Sequence, residues 1–402
     1  MPASTSPPVA GTRPARTGVL ALGTFAVGTS GYVVAGLLPA LVGELRVSAS
    51  AAAQLVTAFA IAYAVGSPLF AALTGRWERR KLLVAALLVT ALGNALAALA
   101  PGYALLFGAR MVTAIGAAVF TPAASAVAAE LTSPERRGRA VALVFGGLTI
   151  ATILGVPLGG LLSAQLGYRW VFGLVAVFAV AGAVAVRLAL PMVAAPPPVR
   201  FAERFTVARD PRVLAMLGAT VLGCLAAFSV YTFISPVLAA TAGITGTAVS
   251  VLLFSYGAGG WLGNVLGGRA TDRWGARRPL LLTFLGITVV LALLPVVATT
   301  VAGAAVVLFL WGFCTWSVNP PIQHRLIELA PGTAGLLLSL NASAIYLGVG
   351  LSGVVGGLVL DTGGPTVLPE MAAVLTAVGA VIVLLGWRAR AGESAKEVAV
   401  VG

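Results

Sequence analysis

The sequence predicts an all-α membrane protein of about twelve transmembrane helices, set out as two related halves of six. Three observations predict it. Of 402 residues, 59% are hydrophobic and only 9% are charged, against roughly 25% charged in a soluble domain. The apolar residues fall into consecutive stretches near the ~20 residues that cross a bilayer. The basic residues sit in alternate gaps between those stretches, which sets membrane orientation.

The spans read 17–43, 51–74, 82–100, 103–130, 140–164, 170–190, 213–239, 248–268, 280–299, 301–329, 335–360 and 369–388. The break between 280–299 and 301–329 is marked only by Thr299 and Thr300. With the N-terminus inside, 22 of the 25 basic residues become cytoplasmic, Arg46 and Arg169 lie outside, and Arg110 falls within the membrane. Both termini are then cytoplasmic, in a multi-pass protein of the inner (plasma) membrane.

This placement also disposes of other classes. A net charge of +13 invites a nucleic-acid reading, but the cations do not share one soluble face. Cys224 and Cys314 lie inside apolar spans and read as small buried hydrophobes. No cysteine, histidine or carboxylate spacing suggests a metal site. Residues 1–16 form a polar tail, and the run from Thr17 is longer than a signal-peptide core, so it reads as an uncleaved first helix.

The longest polar stretch, 192–212, holds four prolines and four arginines. It reads as a cytoplasmic linker between a bundle at 17–191 and a bundle at 213–388, with a short cytoplasmic tail at 389–402. An internal repeat supports the division. At a constant offset of 197, Pro39 matches Pro236, Gly66 matches Gly263, Arg76 matches Arg273, Trp77 matches Trp274 and Arg80 matches Arg277. Parallel repeats of this kind build transporters with a site between the halves near the midplane.

The segment from Gly263 to Arg278 between the eighth and ninth spans combines glycines at 263, 267 and 268 with Asp272, Arg273, Arg277 and Arg278. The glycines allow close helix approach. Asp272 can pair with nearby arginines, as a charged latch that holds one state closed; the bland alternative is a plain orientation signal. This pattern resembles the loop signature of the major facilitator superfamily, G-x-x-x-D-R-x-G-R-R. The first-half copy, Gly75-Arg76-Trp77-Glu78-Arg79-Arg80-Lys81, departs from it, with Gly75 at the acid position and Glu78 at a glycine position. The latch residues are read as Arg76, Arg80, Gly263, Asp272, Arg273 and Arg277.

The fifth span, with Gly146, Gly155, Pro157, Gly159 and Gly160, is similar to the antiporter motif of drug-exporting facilitators. Proline removes one helical hydrogen bond and bends the helix; small-residue packing is the alternative. In the fourth span, Arg110 lies about seven residues from the external end, roughly 10 Å at the helical rise. A charge there is costly and faces a cavity or a partner. The family has an arginine at this place, in R-x-x-x-G, linked to proton coupling, and snorkelling is the alternative. The first span closely resembles the subgroup of chloramphenicol-resistance and arabinose-efflux-type permeases, which has Glu where this chain has Gly31. None of the 12 acidic residues lies at mid-membrane.

Tyr32, Tyr63, Tyr231, Tyr256, Trp311, Asn341 and Tyr346 lie on spans that line the cavity in this fold. Aromatic groups with few charges suit a moderately apolar ligand, with packing an equal alternative for each one. Asn94 is less promising, since the third helix faces lipid or its own bundle. His324, beside Pro320 and Pro321, reads as structural. The resemblance implies a monomeric drug:proton antiporter in the lipid bilayer, with a small-molecule substrate, protons as the coupling ion, no cofactor and no catalytic residues. Within the class, a carrier of sugars, nucleosides or another metabolite is the alternative. A membrane enzyme or a non-transporting sensor is the alternative outside it.

Overall fold

The computed structural model describes residues 14–132, 137–193, 210–329 and 334–401. The tail before Pro14 and most of the 192–212 linker lie outside them. Among the described residues every regular element is a helix.

The first apolar run forms α1 (Pro14–Tyr32) and α2 (Val34–Leu45), bent by 45° at Val33. Then come α3 (Ala49–Leu73), α4 (Arg79–Leu99) and α5 (Tyr103–Glu130). Ser48 starts α3 by accepting from the Ala51 N–H at 3.0 Å, which satisfies one free donor of the first turn. α6 (Arg137–Ile150) passes through a single wide turn at Ala151–Gly155 into α7 (Val156–Leu166). Pro157 sits in the first turn of α7, where its missing N–H costs least. α8 (Tyr168–Ala189) closes the first half.

The second half begins with α9 (Pro211–Thr232), capped by Asp210, and α10 (Ile234–Ala242). It continues with α11 (Thr247–Trp274), α12 (Arg277–Val297), α13 (Val301–Ser317), α14 (Asn319–Leu329), α15 (Ala334–Gly363) and α16 (Val367–Val401). Among the described residues eleven helices are long and apolar enough to cross a membrane, and the bent α1–α2 pair makes twelve. The break at Thr299–Thr300 is real: Thr300 caps α13 by accepting from the Gly303 N–H at 3.1 Å.

Two boundaries differ from the sequence reading. The segment read as the eighth-to-ninth loop is helical through Trp274, so Asp272 and Arg273 stand on the last turn of α11. The tail read from 389 continues α16 as helix. A polar surface does not stop a helix whose backbone bonds are already made within it.

Within the first half, α4 packs on α5 and α8, α1 on α6 and α8, and α3 on α5. In the second, α11 packs on α13, α9 on α15 and α16, and α12 on α13 and α16. The halves meet along α3–α15 and α7–α11. Leu88, Leu92, Leu99, Val177, Leu285 and Val381 project outward and stay exposed. In water such a surface would drive aggregation; in lipid it is the solvated face.

The α3–α15 contact carries four polar bonds, all towards the end opposite the Arg76–Lys81 segment, one of them from Ser50 Oγ to the Gly357 carbonyl at 3.3 Å. Ser50 Oγ donates to Asp361 Oδ1 at 2.7 Å, Gln54 Nε2 to the Gly353 carbonyl at 3.4 Å, and Thr57 Oγ1 to the Gly350 carbonyl at 2.9 Å. A Cβ at Gly353 would collide with Thr57 Oγ1, so the helices touch backbone to side chain there.

Candidate functional site

The bend between α1 and α2 prepares the polar centre of the first half. At the bend the Val33 N–H bonds the Thr29 carbonyl at 2.9 Å, and the next turn starts from the Val33 carbonyl. The intervening carbonyls of Ser30 and Gly31 accept from Arg110. Nη1 donates to the Ser30 carbonyl at 2.6 Å, Nη2 to the Gly31 carbonyl at 3.4 Å and Nε to the Leu55 carbonyl at 3.4 Å. The guanidinium lies 4.5 Å from the Phe59 ring centroid and is wholly buried. Ser30 Oγ in turn donates to Asn94 Oδ1 at 3.0 Å, and Asn94 Nδ2 donates to the Thr90 carbonyl at 2.8 Å. A planar fork with five donors suits this site, since it reaches carbonyls on two helices and keeps a flat face on a ring. No carboxylate pairs with Arg110 among the described residues.

Six of the seven proposed binding residues converge. Tyr63 of α3 stacks on Tyr346 of α15 with centroids 3.6 Å apart, and Phe59 lies 6.2–6.3 Å from both. Tyr32 of α1 stacks on Phe228 of α9 at 5.5 Å, and Phe228 meets Tyr231 at 5.8 Å. Tyr231, Tyr256 and Trp311 form a triangle with sides of 4.9, 4.7 and 6.3 Å. Aromatic side chains from both halves therefore meet at two places. The Tyr231 hydroxyl and the Trp311 Nε1 are buried without a hydrogen-bond partner. The seventh residue, Asn341, is held elsewhere: its Oδ1 accepts from Thr220 Oγ1 at 2.8 Å, a tie between α15 and α9.

α7 and the turn before it are seated by glycines. A Cβ at Gly155 would collide with Thr29 Oγ1, one at Gly159 would lie 2.6 Å from Val33, and one at Gly160 would collide with Ser250 Oγ of α11. Gly146 has nothing within 4 Å of such an atom, whereas its neighbour Gly147 sits against Ala21 and Thr24. The close contact thus falls one residue from the position the motif indicates, on the helix face that meets α1.

The two charged segments differ from each other. In the second half Asp272, Arg273 and Arg277 are exposed, and no ion pair engages Asp272 among the described residues. Gly263 packs under the Phe313 carbonyl and its own carbonyl accepts from Ser317 Oγ at 2.9 Å. It serves the α11–α13 crossing, as does Gly267, while Gly268 meets nothing within 4 Å. In the first half Arg76 is exposed, and Arg80 Nη1 donates to the Leu190 carbonyl at 3.1 Å. Glu78 accepts from the backbone N–H groups of Arg80 at 2.8 Å, Lys81 at 3.1 Å and Val193 at 3.1 Å. Burial alone would raise the Glu78 pKa, but those three donors and the nearby Arg80 charge outweigh it and hold the carboxyl below its usual value.

An apolar groove of about 550 Å³ lies between α4 and α8, lined by Leu88, Ala91, Leu92, Val177 and Val180. Its lining residues include the exposed lipid-facing set, and it offers nothing to orient a polar solute, so the chemistry lies with the rings and Arg110.

The sequence profile of the Major Facilitator Superfamily matches residues 20–332 and 216–400. The chain belongs to the major facilitator superfamily. This facilitator is 35% identical to the inner membrane transport protein YdhP of Escherichia coli K12 over 372 residues, 92% of this chain and 95% of that one. It is 35% identical to the uncharacterized MFS-type transporter YbcL of Bacillus subtilis over 344 residues, 85% of this chain and 88% of the other. It is 34% identical to the chloramphenicol resistance protein of Streptomyces lividans over 343 residues, 82% of this chain and 85% of that one. It is a multi-pass inner-membrane transporter, not an enzyme, and transporters of this family need no cofactor.

The sequence reading of this facilitator missed Ser30, Phe59, Phe228 and Glu78, and set Asn94 aside. Ser30 and Asn94 are polar residues inside apolar spans, which is a usable signal. Phe59 and Phe228 carry none, because an aromatic residue in a span is ordinary.

Proposed function

We propose that this facilitator exports small amphiphilic compounds, chloramphenicol-like molecules among them, in exchange for protons. The observation that carries the reading is the aromatic cluster drawn from both halves, with α1 meeting α9 and α3 meeting α15. A site shared between two halves is one that their relative rocking can open to either side. The Streptomyces lividans relative supports the substrate class.

In this reading the protein works as a monomer whose bundles at 17–191 and 213–388 rock about the linker 192–212, with both tails cytoplasmic. The Ser50–Asp361 end then faces outward, and the conformation is closed on that side. Asp272 with Arg273 and Arg277, and Arg76 with Arg80, form the cytoplasmic latch of the opposite state. Gly155, Pro157, Gly159 and Gly160 shape the α7 surface along which the halves move. Arg110 acts on coupling through its field at the α1–α2 bend.

The test is export from inverted vesicles against a compound panel, with and without an uncoupler. Uncoupler-sensitive accumulation of chloramphenicol-like compounds is expected. Uncoupler-insensitive movement would exclude proton exchange, and accumulation of sugars or nucleosides alone would favour the metabolite carrier.

A further inference from the structure

We infer that the shared aromatic site takes neutral aromatic molecules bearing a hydrogen-bond acceptor, bound through Trp311 and Tyr231, and rejects permanent cations; the inference rests on the export reading and names its substrate class.

Charge comes first. The rings Tyr32, Phe228, Tyr231, Tyr256 and Trp311 form one neutral wall, and Phe59, Tyr63 and Tyr346 a second. Among the described residues the formal charge at this depth is Arg110, and each of its three nitrogens already donates to a carbonyl, of Ser30, Gly31 or Leu55. A cationic ligand would gain from ring faces. It would also enter a region of low dielectric beside the Arg110 guanidinium, whose positive charge no carboxylate neutralises among the described residues. Arg110 already occupies the Phe59 face. Repulsion and desolvation together outweigh the ring attraction.

Polarity comes second. An indole N–H only donates, and the Trp311 Nε1 is buried without an acceptor. The Tyr231 hydroxyl is buried without a partner as well. Phenylalanine at position 231 would fill nearly the same space without stranding a polar atom, which is costly in an apolar interior. A ligand acceptor, such as a nitro or carbonyl oxygen, meets that unfilled donor. Trp311 is also held firmly. Its neighbour Gly312 lies under the Tyr256 carbonyl, where any Cβ would collide, so α13 is pinned on α11 and the indole needs little ordering on binding.

The experiment uses the full-length protein in nanodiscs and measures equilibrium binding of chloramphenicol, a neutral nitroaromatic probe, and ethidium, a cationic one. Tyr231→Phe keeps the ring and removes only the hydroxyl; Trp311→Phe also removes part of the indole at a fully buried position, so thermal unfolding of each variant in the same nanodiscs checks that it folds. Chloramphenicol should bind the parent, with ethidium at least tenfold weaker. Trp311→Phe should weaken chloramphenicol about tenfold, which is about 1.4 kcal/mol. Ethidium binding as tightly as chloramphenicol, no chloramphenicol binding, or unchanged affinity in both variants overturns the inference. Export by inverted vesicles separates the two levels. Export of cations with ring-insensitive binding removes the inference and leaves export standing. Absence of export for either probe removes the export reading and the inference with it.

Discussion

Replacing Arg110 by methionine removes the only charge at the α1–α2 bend while roughly conserving volume. The short bond from Nη1 to the Ser30 carbonyl, 2.6 Å, is charge-assisted and contributes about 1.5–3 kcal/mol. Methionine also strands the Ser30 carbonyl in an apolar interior, at about 1–3 kcal/mol. The bonds to Gly31 and Leu55, each 3.4 Å, are long and add about 1 kcal/mol between them. Removing a buried cation returns about 2.5–3.5 kcal/mol. The net expectation is a loss of about 2 kcal/mol. Arg110→Lys should lose less, because an ammonium reaches the Ser30 carbonyl but cannot also bridge to Leu55 and lie flat on Phe59. The assay is thermal unfolding in detergent, followed by labelling of Cys224 and Cys314 with a thiol-reactive dye as their helices open. Gly31→Glu provides a cross-check. A Cβ at Gly31 would touch only Phe59, at the ordinary van der Waals distance of 3.4–3.5 Å, and a carboxyl introduced there should give export a new pH dependence. If Arg110→Met unfolds at the parental temperature, the carbonyl cage does not hold the bend together and the energetic argument is wrong.

Glu78→Gln should lower stability by about 1 kcal/mol, as loss of a helix cap does. Because the folded carboxyl is held below its usual 4.5, its contribution is present above that pH and fades as pH falls through the lower folded value; unfolding scans from pH 7 to 3 should show this component in the parent and not in the variant. Gly146→Ala should be neutral and Gly155→Ala damaging to expression and export, since only Gly155 faces Thr29; equal behaviour of the two would remove the seam from the account. Asp272→Asn should leave expression intact and cut export tenfold or more, and unchanged export would reduce that segment to an orientation signal. Cysteines at Glu135 and Phe205, in a chain with Cys224 and Cys314 replaced by serine, should resist an impermeant thiol reagent in intact cells; labelling of both would invert the topology.

Spans were legible because apolar length is a direct requirement of the bilayer, and even the break at Thr299–Thr300 fell where Thr300 caps α13. Bends were not legible. Nothing in Tyr32-Val33-Val34 announces the 45° break, which arises where Arg110 takes the Ser30 and Gly31 carbonyls from the helix, a tertiary cause. The aromatic positions were mostly legible, since Tyr32, Tyr63, Tyr231, Tyr256, Trp311 and Tyr346 do meet. Asn341 was misplaced because polarity within a span says that a partner exists, not which one, and its partner is Thr220. Gly263 looked like part of a charged latch through its neighbours in sequence, but a helix presents each position to a different side, and position 263 faces α13.

The absence of an acid at Gly31 then has a physical consequence. A buried arginine needs compensation, and a carboxylate supplies it as a charge that protons can remove. Backbone carbonyls supply it as fixed dipoles that protons cannot. In this chain the bend provides those dipoles, so titration of a neighbouring acid plays no part in holding Arg110 while α1 and α2 stay bent. Its hold is therefore coupled to helix geometry rather than to titration of a neighbour. Gly155 and Gly159 pack against the same bend, at Thr29 and Val33, and Gly160 packs against α11 of the other half. In the proposed rocking cycle these contacts are the route by which movement of the halves would reach the buried charge, through a glycine-lined helix and a broken one, without an acidic side chain between them.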